Sequence, residues 1–304
     1  MTNSAAYKLL AVMIAFAIPY ELLLAYGPGS DQEFEGYWQV WHPYFLPLIG
    51  LTILPILFGY VFPLARRLGG RGTLWGRCIW FLAAGLLAYT AVGTTLIFLE
   101  ATCASWGSLA CDNELGRVPH PSLGTIGFIA MYPLVGIGLA ALLQGLGTSA
   151  WAELRRHWWI PLGITIVTVA FAAPFGFDLA FDERESTLGA IADAAVLVGM
   201  VAITSLAGVA APHARRLGGA LRRPVYFQLA GIVLVSIGTF IMVHNNTVGR
   251  ELVATDQSAG PFTIGFVLWL ASFLMIGAAL EKMLGIGPSR VQETEAPADE
   301  SLTS

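Results

Sequence analysis

Charge is what this chain has least of. Asp, Glu, Lys and Arg make up 12% of its 304 residues, about half the share found in a soluble globular domain. Such a surface cannot be solvated as a globule, and the mean hydropathy of +0.69 points to lipid as the main solvent. No concentrated basic patch is present, which argues against nucleic-acid binding. Cysteine is equally sparse, with three in all, too few for a disulfide scaffold. None stands in a CxxC-type spacing that would suggest a zinc site. There is no nucleophile elbow, no HExxH, no acidic pair of the DxxD type and no GxGxxG following a strand, so the sequence points to no enzyme class.

What is present is a series of long apolar runs. A membrane-crossing helix needs roughly 20 apolar residues, and eight segments meet that need: 6–26, 43–64, 78–99, 122–146, 159–177, 188–211, 225–243 and 262–284. The first contains Pro19 and Glu21 and lacks a small-x-small cleavage site, so it reads as a mature helix and not as a signal peptide. The expected fold is an all-α integral membrane protein of eight transmembrane helices.

Basic residues are nearly absent from alternate loops. Lys8, Arg66, Arg67, Arg71, Arg77, Arg155, Arg156, Arg215, Arg216, Arg222, Arg223, Lys282 and Arg290 would lie on one side, and only Arg117, Arg184 and Arg250 on the other. Thirteen against three places the first group, and both termini, in the cytoplasm of a cell-membrane protein. Aromatic anchors agree: Tyr37, Trp38 and Trp41 fall at the outer interface, and Trp75, Trp158 and Trp159 at the inner one. In the outer loop after the third span Cys103 and Cys111 are expected to form a disulfide, because that compartment is usually oxidising.

The second half of the chain echoes the first. Ala65-Arg66-Arg67-Leu68-Gly69-Gly70 returns as Ala214-Arg215-Arg216-Leu217-Gly218-Gly219, and Thr125-Ile126-Gly127-Phe128 as Thr263-Ile264-Gly265-Phe266. Ala15-Phe16-Ala17-Ile18-Pro19 is matched by Ala170-Phe171-Ala172-Ala173-Pro174, and Gly93-Thr94 by Gly238-Thr239. Four matches in one order predict two tandem four-helix repeats. Because each repeat holds an even number of helices, the repeats run parallel, related by an axis along the membrane normal. The expected divisions are 1–146 for the first repeat, 147–158 for a cytoplasmic linker, 159–285 for the second repeat and 286–304 for a polar, disordered cytoplasmic tail. Pro47, Pro55 and Pro133 would kink their helices.

On this topology the polar residues of the membrane gather toward the outside. Asp193 is the deepest acid, and an ionisable group at such depth costs several kcal/mol unless paired or hydrated. Glu100, His244 and Asn245 end the third and seventh spans, Glu21 and Asp178 lie near the outer ends of the first and fifth, and Tyr44 aligns with Asp193. Asp193, Glu100, His244, Asn245, Glu21 and Tyr44 are therefore the candidate ligand-binding residues, with Asp193, Glu100 and His244 expected to face one cavity. His42, His120 and His244 share the outer interface and are candidate metal ligands, although no HxH or HxxxH pair supports them. His157 and His213 stand beside arginine pairs, where they are expected to meet lipid headgroups.

These features suggest a transporter or receptor for a small solute or ion, with its site between the repeats and open to the outside. The alternatives are a non-catalytic subunit or assembly factor of a membrane complex, and a membrane-embedded metal or haem redox protein. The plan is similar to the four-plus-four helix duplication of haem A synthases. That family carries histidines on helices 2, 4, 6 and 8, whereas the predicted sixth and eighth spans contain none, so the similarity stops at the plan. The sequence names no cofactor and no substrate.

Overall fold

A computed structural model of the chain describes residues 1–26, 52–90, 123–176, 187–247 and 255–284. Every regular element among them is helical. Helix α1 is Asn3–Tyr26. Helix α2 runs through 52–67 and contains a π-helical turn at Leu57–Val61 before its last stretch, Phe62–Arg67. The remaining helices are α3 (Leu74–Leu87), α4 (Leu123–Gly145), α5 (Ala150–Arg156), α6 (Trp159–Gly176), α7 (Thr187–Ala214), α8 (Gly219–Thr247) and α9 (Thr255–Leu284).

Four stretches are long and apolar enough to cross a bilayer: Ile126–Gly145, Ala194–Ala214, Gly219–Thr239 and Ile264–Met283. They mark the chain as a membrane protein. Shorter apolar stretches occupy Asn3–Pro19, Leu74–Thr90 and Trp159–Ala170. Two boundaries differ from the sequence reading in ways that matter. Helix α7 continues past 211 through Pro212 and His213, and α8 begins at Gly219 instead of 225, so Arg222 and Arg223 are helical. Apolar runs locate the lipid-facing part of a helix. Backbone hydrogen bonding carries the helix on into the polar interface.

Close packing follows from small residues. A Cβ on Gly231 of α8 would stand 2.8 Å from the Gly265 carbonyl oxygen of α9, and one on Gly265 would stand 2.9 Å from the Val235 nitrogen. The two backbones touch because neither residue has a side chain, as expected where van der Waals contact drives helix association in lipid. The α3–α4 pair uses the same device with different partners: Gly85 faces Val135, and Gly138 faces Leu82. Trp269, Phe273, Tyr60 and Met131 fill the core.

One end of the bundle gathers the turns and the cations. Arg67 of α2 pairs with Glu281 of α9 at 3.1 Å, and Asn3 of α1 donates to the Leu274 carbonyl of α9 at 3.3 Å. The α2–α3 turn closes through left-handed Gly69 (φ 92°) and Gly70 (φ 56°), and Thr73 caps α3 by accepting from the Gly76 N–H at 3.1 Å. Trp151, Trp158 and Trp159 are exposed at this end, an arrangement suited to a membrane–water boundary. We call it the basic end. The 147–158 segment, expected as a plain linker, contains the two-turn helix α5, capped by Ser149 accepting from the Ala152 N–H at 3.0 Å.

Candidate functional site

Of the residues singled out from sequence, Glu100, Tyr44, His42, His120, Asp178, Cys103 and Cys111 lie outside the described residues. Asp193, His244, Asn245 and Glu21 have described backbone, in α7, α8, α8 and α1, but their side chains lie outside the description. The described residues bring together two other sets of polar side chains.

The first set lies in the interior of the bundle, toward the end away from the cations. Tyr89, Tyr132 and Thr239 are each buried, from the π turn that follows α3, from α4 and from α8 in that order. In an apolar interior a hydroxyl must find a partner or cost free energy. Thr239 solves this locally by donating to the Val235 carbonyl one turn back, at 2.8 Å, as Thr90 does to Leu86 at 2.7 Å. With its proton committed there, Thr239 Oγ1 can only accept from the Tyr89 hydroxyl 3.5 Å away. The Tyr132 hydroxyl approaches the same oxygen without hydrogen-bond alignment and is otherwise unpartnered.

The aromatic faces fix this set in place. The Tyr89 ring packs on Phe128 of α4, with centroids 4.7 Å apart, and on Phe266 of α9, at 5.4 Å. Such tilted pairs lie within the favourable range for aromatic contacts. Gly199 of α7 abuts the Tyr132 ring so closely that a Cβ would overlap it. Five helices therefore meet at one layer of three hydroxyls and four rings. Among the described residues the layer contains no carboxylate, imidazole or amine; its side chains hydrogen-bond and stack.

The second set lies at the basic end. Glu153 of α5 is buried, and its Oε2 stands 3.1 Å from Nδ1 of His157 and 3.1 Å from Nε2 of His213 at the end of α7. Its Oε1 accepts from the Thr148 hydroxyl at 2.9 Å. Burial pushes the carboxyl pKa up, but the close approach of His213, the hydrogen bond from Thr148 and the charges of both imidazoles outweigh that push and hold it below its ordinary value. The headgroup role expected of His157 and His213 is thus corrected: both imidazoles face a carboxylate, and His213 is buried.

Sequence reasoning passed over Glu153. Its signal was available: it is the lone acid between Gly147 and Trp158, four residues before His157, a spacing that puts both on one helical face. The helix that holds the sixth predicted span also carries His213, two residues past the span's end at 211. Among the described residues, no group of three or more His, Cys, Asp and Glu side chains could hold a metal ion.

Elsewhere the interior holds a smaller polar contact, the Ser272 hydroxyl of α9 donating to the side-chain Oε1 of Gln228 in α8. A shallow open pocket at the start of α8 is lined by Leu217, Arg222, Arg223, Tyr226 and Met275 among others. No protein-family model, curated protein or solved structure matches the chain significantly.

Proposed function

We propose that this protein is a membrane carrier or receptor for a small solute or ion, built from two parallel four-helix repeats that together cross the membrane eight times. Both termini lie in the cytoplasm, with the basic end inward, and the site opens outward between the repeats. One observation carries the reading. Phe128 and Phe266 end the repeated Thr-Ile-Gly-Phe segments, and both rings pack on the single ring of Tyr89. Equivalent residues of two repeats meet on a common neighbour when they lie close to the axis relating them.

The hydroxyl layer then forms the floor of the site. Thr239 stands 20 residues beyond Gly219 in α8, and Asp193 stands 21 residues before Ala214 in α7. At 1.5 Å per residue both backbones lie about 30 Å from the basic end. Asp193 is the residue we assign to a charged or hydrogen-bonding group of the ligand, with Glu100, His244, Asn245, Glu21 and Tyr44 as the remaining candidates around it.

A library of small solutes and ions screened by thermal shift on the purified protein tests this reading. A solute that raises Tm in the wild type should lose that effect in Asp193→Asn. A shift of the same size in both proteins would remove the proposed site. The non-catalytic subunit is the second reading, favoured by α6, where Leu162, Ile166, Val167 and Val169 are all exposed. Purification in mild detergent separates the two, because a subunit co-purifies with stoichiometric partners and a carrier does not require them.

A further inference from the structure

We propose that Glu153, His157 and His213 form a proton-operated clasp that fastens α5 to the end of α7, closed while His157 carries its proton and loosened when that proton leaves. The two imidazoles are not equivalent. His213 is buried, and its Nδ1 has no partner. It is the enclosed member of the set, 3.1 Å from the carboxylate. The His157 side chain is 30% exposed, so the part of its ring away from Glu153 reaches water and can exchange a proton.

Charge, more than direction, holds the clasp. Glu153 Oε2 lies at ion-pair distance from both rings, yet neither approach has hydrogen-bond alignment. Losing the His157 charge therefore removes most of that contact. Among the described residues on the elements packed against the clasp, no other group changes charge in the same interval. The ionisable neighbours on α5 and after α7 are the arginines Arg155, Arg156, Arg215 and Arg216, cationic throughout, while α4, the other helix against α5, has only Tyr132 as a titratable residue. An imidazole is the side chain that ordinarily changes charge between about pH 5 and 8. The device sits where it has consequences, because α5 is the connection between the two halves of the chain.

Hydrogen–deuterium exchange of the full-length protein in lipid nanodiscs tests the clasp, with rates corrected for the intrinsic effect of pH. Protection of 150–157 should fall about fivefold between roughly pH 5.5 and pH 8, the scale of one partly exposed ion pair, while 225–235 in α8 keeps its protection. His157→Gln should make 150–157 independent of pH over that interval. Glu153→Gln should leave it weakly protected at both ends. Flat wild-type protection overturns the proposal, and so does a pH dependence that survives His157→Gln. The half-exposed position of His157 keeps that variant informative even where Glu153→Gln fails to fold.

Discussion

The two polar sets of this molecule solve the same problem by opposite means. In the interior, Tyr89, Tyr132 and Thr239 are uncharged, and the threonine turns its proton to its own backbone. At the basic end, Glu153 keeps a charge, and two imidazoles and a hydroxyl from three separate positions converge on it. The difference follows from depth. Deep in lipid an ionised group has neither water nor headgroups to draw on, and the polar side chains described there, Gln228 and Ser272 as well as these three, are uncharged. Near the interface a carboxylate can stay ionised among arginines. The inner layer is thus held by shape and the basic cluster by charge, and each should fail under a different perturbation.

The largest effect expected from a shape perturbation is at Gly199→Leu. A side chain there would occupy the space of the Tyr132 ring, and overpacking of this kind costs about 1–3 kcal/mol, sometimes more. Thermal unfolding in detergent should show a clear loss of Tm or no folded protein. A wild-type Tm would mean that α4 and α7 do not pack as described.

The next perturbation, acid, should touch only the basic cluster. The Glu153 carboxyl is held below its ordinary value, so its contribution to stability is present above the unfolded carboxylate value, about 4.3. That contribution is lost as pH falls through the lower, folded value. Stability measured against pH should therefore fall more steeply below about pH 4.5 in the wild type than in Glu153→Gln. Parallel curves would show that the carboxylate gains nothing from His157, His213 and Thr148. The interior layer has no group that ionises in this range and should be indifferent.

Much of the interior was legible in the sequence and little of the basic cluster was. Apolar runs mark helices because a lipid-facing helix needs nearly continuous hydrophobicity, and each predicted run holds helix among the described residues. The Thr-Ile-Gly-Phe segments recur in the sequence, and nothing in it foretold that both phenylalanines pack on the Tyr89 ring. Glu153 left no such mark. Its partners are four and sixty residues away, and a lone acid among arginines reads as surface until α5 folds back on α7. Short repeats also mislead locally: Leu68-Gly69-Gly70 turns through left-handed glycines, whereas Gly218 and Gly219 do not take positive φ. The Thr73 side chain closes the first turn on the Leu68 carbonyl, and the second copy has Arg222 at the position that matches Thr73.

A smaller effect is expected at Thr239→Val, which keeps the shape and removes the oxygen that faces Tyr89. Interhelical hydrogen bonds in membrane proteins average about 0.6 kcal/mol, and this one is long at 3.5 Å. Tm should drop slightly, within a few degrees. A large loss would show that Thr239 holds α8 in place by more than this contact.

Tyr132→Phe gives the smallest effect and the sharpest test of what the layer is for. The Tyr132 hydroxyl is buried and makes no aligned hydrogen bond, while its ring carries the packing against Gly199. Deleting the oxygen removes a desolvated polar atom with little to lose, so stability should change by no more than about 0.5 kcal/mol, in either direction. If the protein only needed a packed interior, phenylalanine would serve as well as tyrosine. The hydroxyl is instead a free donor at the floor of the proposed site, and a ligand oxygen above it would use that donor. Tyr132→Phe should therefore leave Tm unchanged without ligand and reduce the shift produced by any solute found in the screen. A marked loss of Tm without ligand would mean that the hydroxyl has a structural partner. An unchanged ligand shift would place the binding surface away from this layer.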